Sequence, residues 1–333
     1  MRTPAIALLT GALVLAVGPV AAQPEPAPTP KPATPFPAAG NDDVWAKLPR
    51  ENPPLPEWAR ILAGPLPRTA AKMLELDYLH REKNPLGAEL AAALRWAVAD
   101  ALGSKFGVAT AEADLKRAGL PPRYLANFGN RPDLQTDVRL AIAFARKLTT
   151  EGHAITDAEF AEVLKHFGPE KTTAIVHTVA YANFHNRVVL AIGAAGDAVP
   201  PVDVRFDAEK LAKIPAPPRP PWDDLKSVTA GGLSVRAEWG KDGFDELNAA
   251  MEKQKDRTKR MPLPDPAVYD KLSPREKESA QKIRWNTVSM GYQPELTRAW
   301  FAVLYTFYEE AKVDRVFTNS VFWVVTRTND CFY

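Results

Sequence analysis

The sequence predicts an all-α fold, and three observations carry that prediction. Apolar residues recur at three- and four-residue spacing over most of the chain outside two proline-rich stretches. Helix start and stop signals bracket these periodic runs. Strand-like alternation is short and scarce, with residues 202–206 the one candidate piece.

Taken in order, residues 1–22 read as a secretory signal. Arg2 gives the positive start, an apolar segment follows, and Val20-Ala21-Ala22 offers small residues for cleavage before Gln23. Gly18-Pro19 interrupts the apolar run before it reaches the roughly 20 residues that a spanning helix needs, so cleavage is expected rather than anchoring. The mature protein is expected to be exported, periplasmic or extracellular, with no stable membrane span. Residues 23–55 form a proline-rich linker, with Pro24, Pro26, Pro28, Pro30, Pro32, Pro35 and Pro37 fixing φ and removing N–H donors. A helical domain spans 56–199. A second proline-rich linker covers 200–222, and a helical segment fills 223–333.

Within the first domain the spacing predicts helices over 69–81, 86–102, 109–118 and 133–148. Thr156 and Glu159 form a capping box that opens the next helix, and Gly168-Pro169 stops it. A further helix is expected from Glu170 to Gly193. In the last segment Ser273 and Glu276 make a second capping box, opening a helix that reaches at least Met290. Between Glu252 and Arg260 lie five basic and two acidic residues, read as a solvated face.

Composition narrows the function classes. The 333 residues are 46% hydrophobic and 25% charged, and the formal charge of +2 gives no basic sheath for nucleic acid. One cysteine excludes an intramolecular disulfide framework and a cysteine-rich zinc site. None of His80, His153, His166, His177 and His185 stands at metal-ligand spacing with a second histidine and a carboxylate. His177 and His185 can share one broad helix face, where satisfied polar contacts are the expected role. No metal or cofactor is expected.

The run from Leu94 through Trp96, Val98, Ser104, Phe106 and Gly107, continuing to Leu115 and Gly119, resembles the core helix pair of the alkylhydroperoxidase D-like and carboxymuconolactone decarboxylase family. The helix around Phe144, the capping box at Thr156 and the closing helix with Tyr181, Asn183, Asn186 and Arg187 fit the same order of pieces. The resemblance implies a thiol-dependent, peroxiredoxin-type antioxidant oxidoreductase. Its chemistry would use Cys-x-x-Cys at a helix start, a histidine four residues on and a glutamate on the preceding helix. This chain carries Ser104, Gly107, Ala111 and Ala92 at those places, so the dithiol chemistry is expected to be missing from the first domain. Ser104 is expected to serve as a helix N-cap. Asn183, Asn186 and Arg187 are expected to buttress helix packing or a subunit contact.

A shift of 227 residues lays the C-terminus on the first domain: Gly64 on Gly291, Pro67 on Pro294, Tyr78 on Tyr305, Glu82 on Glu309, Trp96 on Trp323 and Val98 on Val325. On that register Ser104 pairs with Cys331, which becomes the one candidate catalytic residue, as a peroxide-attacked thiolate. The reading expects a tandem protein whose second domain is a truncated copy; a natural chain ending on a lone thiol is the alternative. Phe301, Leu304, Tyr305, Phe307, Phe317, Phe322, Trp323 and Val325 are expected to need cover from the first domain or another chain. Two functions stay open: weak or absent thiol peroxidase activity on a peroxide with a thiol reductant, or a non-catalytic exported scaffold or binding protein that forms homo-oligomers.

Overall fold

The computed structural model describes residues 37–48, 53–119, 136–196, 198–215, 244–255, 259–282 and 284–328. The expected signal, the start of the proline tether, the second proline run from residue 216 and Cys331 lie outside the described residues.

Every regular element described is helical. In chain order they are α1 (Asn41–Lys47), α2 (Glu57–Leu62), α3 (Pro67–Arg81), α4 (Ala88–Ala101), α5 (Lys105–Arg117), α6 (Thr136–Thr150), a 3-10 turn (Gly152–Ala154) and α7 (Asp157–Ile192). After these come α8 (Ala208–Ala212), α9 (Phe244–Lys255), α10 (Pro266–Asp270), α11 (Pro274–Lys282), α12 (Arg284–Tyr292), α13 (Pro294–Ala311) and α14 (Arg315–Thr328). Among the described residues no helix is long and apolar enough to cross a membrane.

Local chemistry sets the ends. The Thr156 hydroxyl accepts from the Glu159 N–H at 3.2 Å, and the Glu159 carboxylate accepts from the Thr156 N–H at 2.8 Å, which opens α7. Gly168 then sits at φ 68°, a left-handed backbone that glycine alone adopts without strain, and breaks α7 into two helical arms. The second box works alike at Ser273 and Glu276. Arg260, from the basic run, donates to Asp157 and to the Ile155 carbonyl at 2.7 Å each, so this end of the run is tied to the start of α7.

Residues 202–206 are not a strand. The segment is extended, with Val202, Val204 and Phe206 buried and Asp203 and Arg205 exposed. It lies across α3, and the Phe206 N–H donates to a Glu75 carboxylate oxygen at 2.7 Å. A period of two therefore reflects burial against a helix rather than a ladder.

Two apolar clusters form the interior. One gathers α2, α3, the end of α7 and the extended segment around Trp58, Leu74 and Leu76. The other surrounds α4, whose Ala92, Ala93, Leu94, Ala97 and Val98 are fully enclosed by α5, α6 and α7. α13 crosses α3, with Val303 in the first cluster and Trp300 edge-on to Phe184 at 5.1 Å. At this crossing the buried Glu310 carboxylate of α13 accepts from the Arg68 and Thr69 N–H groups and the Thr69 hydroxyl. It thus satisfies orphan donors at the start of α3.

Helix starts repeat in register. Pro67 opens α3 and Pro294 opens α13; Ala88 opens α4 and Arg315 opens α14, each pair 227 residues apart. The residues before the two prolines share one unusual backbone: Leu66 at φ −141°, ψ 61° and Gln293 at φ −137°, ψ 61°.

Candidate functional site

The polar centre of the molecule lies where α3, α4, α5 and α7 meet. Helical spacing builds it. Asp77 and Arg81 stand four apart on α3, Thr110 and Asp114 four apart on α5, and Tyr181 and His185 four apart on α7, so each pair faces the same way. Arg95 enters from α4, flanked by buried alanines.

Arg81 is the hub. Its Nε and Nη2 clasp the two Asp114 oxygens at 2.8 Å each, Nη1 reaches Asp77 at 3.0 Å, and Nη2 also donates to the Val199 carbonyl. The Tyr181 hydroxyl donates to the other Asp77 oxygen. Arg117 adds a contact to Asp114 at 2.6 Å. Asp77, Arg81, Arg95 and Asp114 are each at most 5% exposed. Burial opposes ionisation of Asp114, but Arg81, Arg95 and Arg117 outweigh it and hold the carboxyl down at about 2. Burial likewise opposes the Arg81 charge, and Asp77 and Asp114 overcome it, so the guanidinium stays charged.

The histidines here are neutral. Burial lowers His185 to about 4, with Arg81 and Arg95 adding to the shift and Asp77 opposing it. His185 is packed among rings: Trp58 edge-on at 5.0 Å and Tyr181 stacked at 5.5 Å. Burial also pushes His80 well below its ordinary value, and its ring stacks on Tyr181 at 4.2 Å. The expected satisfied polar contact holds for His177, which meets the Thr297 hydroxyl at 3.4 Å. It fails for His185, whose Nε2 is buried without a hydrogen-bond partner: the ring is packed against other rings, and the Tyr181 hydroxyl is committed to Asp77.

Beside this network lies a small cavity, with about 20 Å³ open to the centre of a water-sized molecule. Among its lining residues are Arg95, Phe106, Gly107, Thr110, His185 and Asn186. The positions to which the family resemblance assigns redox chemistry border it or lie behind it. Ser104 is the N-cap of α5, fully buried and accepting from the Gly107 N–H at 3.2 Å. Ala92 and Ala111 are enclosed in the interior. A Cβ at Gly107 would fall 1.9 Å from the Asn186 Oδ1 and 2.8 Å from the Ala99 Cβ, so any side chain at this position would have to displace its neighbours.

Asn186 is held by donating to the Ala182 carbonyl at 2.8 Å, and Asn183 by donating to Thr149 at 3.0 Å and to the Val179 carbonyl, so both buttress the packing of α7. Arg187 is exposed. Among the described residues no three histidine, cysteine or acidic side chains gather as a metal site. Sequence reasoning missed Asp77, Arg81, Arg95 and Asp114. The available signal was Arg95 standing alone inside the apolar run from Ala91 to Ala99, since an unpaired charge on a buried face demands a partner.

No family model matches this chain, and neither does any curated protein or solved structure.

Proposed function

We propose that the protein is an exported, non-catalytic helical association protein, related in its first domain to the alkylhydroperoxidase D-like class but without that class's redox machinery. The observation that supports this reading is the closure at Gly107: a thiol there would collide with Asn186, and Ser104 is committed to capping α5. Association is supported by α14, on which Val316, Phe322 and Val325 are 50–74% exposed and Val321 45% exposed. Val321, Phe322 and Val325 share one side of the helix, within about 100° of arc, and form an apolar stripe of the kind that a neighbour covers.

The experiment pairs two measurements on the purified chain. Peroxide consumption with a dithiol reductant is expected to equal that of Cys331→Ser. The solution mass is expected to exceed one chain and to fall toward it on the double change Phe322→Asp, Val325→Asp. A monomeric wild type rejects the association reading.

A second reading keeps thiol peroxidase activity at Cys331. It is favoured by the shared register, which sets Cys331 opposite the helix-capping Ser104. Peroxide turnover in wild type that disappears in Cys331→Ser selects it.

A further inference from the structure

We propose that the cavity between α4, α5 and α7 is a binding site for one small planar monoanion of the size of formate, held by the side edge of Arg95. Four polar side chains that line it keep buried atoms without hydrogen bonds: Nε and Nη2 of Arg95, Oγ1 of Thr110, Nε2 of His185 and Oδ1 of Asn186. All four residues are at least nine-tenths buried. Native interiors rarely leave such atoms unpaired, and several converging on one cavity point to a missing partner.

The orphaned atoms specify its chemistry. Nε and Nη2 form the edge of a guanidinium that grips a carboxylate through two parallel bonds, as Arg81 grips Asp114 in the same cluster. Arg95 Nη2 is in an ion pair with an Asp114 oxygen at 2.8 Å although neither of its N–H groups is aimed at that oxygen, so Nε is the donor of this edge that nothing shares. Thr110 can donate its hydroxyl proton, and neutral His185 can donate from Nε2. Asn186 Oδ1 is the exception: it lies against Gly107, fixed there by the amide's bond to Ala182.

Charge is already balanced: Arg81, Arg95 and Arg117 face Asp77, Asp114 and Glu82, the last paired with Arg117 at 3.3 Å, so the case for the ligand rests on the unused donors. Size sets the limit: about 20 Å³ holds one or two water-sized groups, which admits a one-carbon carboxylate and no longer chain.

The test follows the melting temperature of the full chain in sodium formate, sodium acetate and sodium chloride at one ionic strength. Formate is expected to give a saturable rise of about 5 °C at a hundredfold excess over its dissociation constant. Acetate and chloride are expected to give little. Arg95→Lys keeps the charge but loses the two-donor edge, and should abolish the formate-specific rise. Thr110→Val, nearly isosteric, should weaken formate about tenfold by calorimetry, and it decides the matter if the lysine variant does not fold. Equal shifts from all three salts, no shift from any, or full formate binding by Thr110→Val or Arg95→Lys would each overturn the proposal.

Discussion

The pair α3–α4 and the pair α13–α14 start in the same register, yet their surroundings are opposite. α4 is buried from Ala91 to Ala99 except at half-buried Trp96, while nearly the whole described length of α14 is open. Asp77, Arg81 and Arg95 of the first pair fall on Leu304, Tyr308 and Phe322 of the second, so a buried ionic network has apolar or aromatic counterparts. The contrast separates two causes. Proline at N1 and the non-helical residue before it start a helix by local geometry alone. Whether that helix is buried depends on α5, α6 and α7, which only the first pair possesses among the described residues.

The sharpest way to break this comparison is to remove the hub. Arg81→Met leaves buried Asp77 with the Tyr181 hydroxyl alone and Asp114 with Arg95 and Arg117, and should cost about 3–5 kcal/mol in urea unfolding. The matching change Tyr308→Ala, at a residue 48% exposed, should stay within about 0.5 kcal/mol. Similar losses at both sites would mean that the second pair is as enclosed as the first.

Acid should reveal the same asymmetry. His185 is depressed when folded, so its contribution is complete above the ordinary imidazole value near 6.5 and is lost as pH falls toward 4. The loss should be roughly 3 kcal/mol. Asp114 is depressed too, so its share is lost later, as pH falls from 3.8 toward about 2. Urea midpoints measured across pH should therefore drop in two windows, with His185→Phe shrinking the upper one without removing it, because burial depresses His80 and His177 as well. A single drop below pH 4 in the wild type would contradict the burial of the imidazole.

Truncation of the interior compares the helices directly. Leu94→Ala, at a fully buried position of α4, should cost about 3 kcal/mol. Val321→Ala, its partner on α14, should cost under about 0.5 kcal/mol in a dilute monomer and more wherever chains associate. The smallest of the losses at a buried position concerns Gly107. Gly107→Ala should destabilise by about 2 kcal/mol through overpacking, and Asn186→Ala in the same chain should recover part of that loss. Thermal melts of the single and double variants check this; a neutral Gly107→Ala would show that the position is open after all.

Much of the fold was legible in advance because helix ends are local events. The boxes at Thr156 and Ser273, the break at Gly168 and the cap at Ser104 each involve groups within four residues. The alternation at 202–206 misled, because a strip pressed on a helix buries every second side chain as a strand does.

For the site, the sequence sets the chemistry each position can offer: Ser104, Gly107, Ala111 and Ala92 carry no thiol, imidazole or carboxylate, whatever packs around them. What occupies the polar centre was decided only by tertiary structure. Asp77 and Asp114 lie 37 residues apart and belong to different helices, and the Asp114 charge survives burial because Arg81, Arg95 and Arg117 are folded against it. Periodicity places a residue on a face of its own helix, but which foreign face meets it is set by long-range packing, where the strength of a buried charge pair depends on water being excluded.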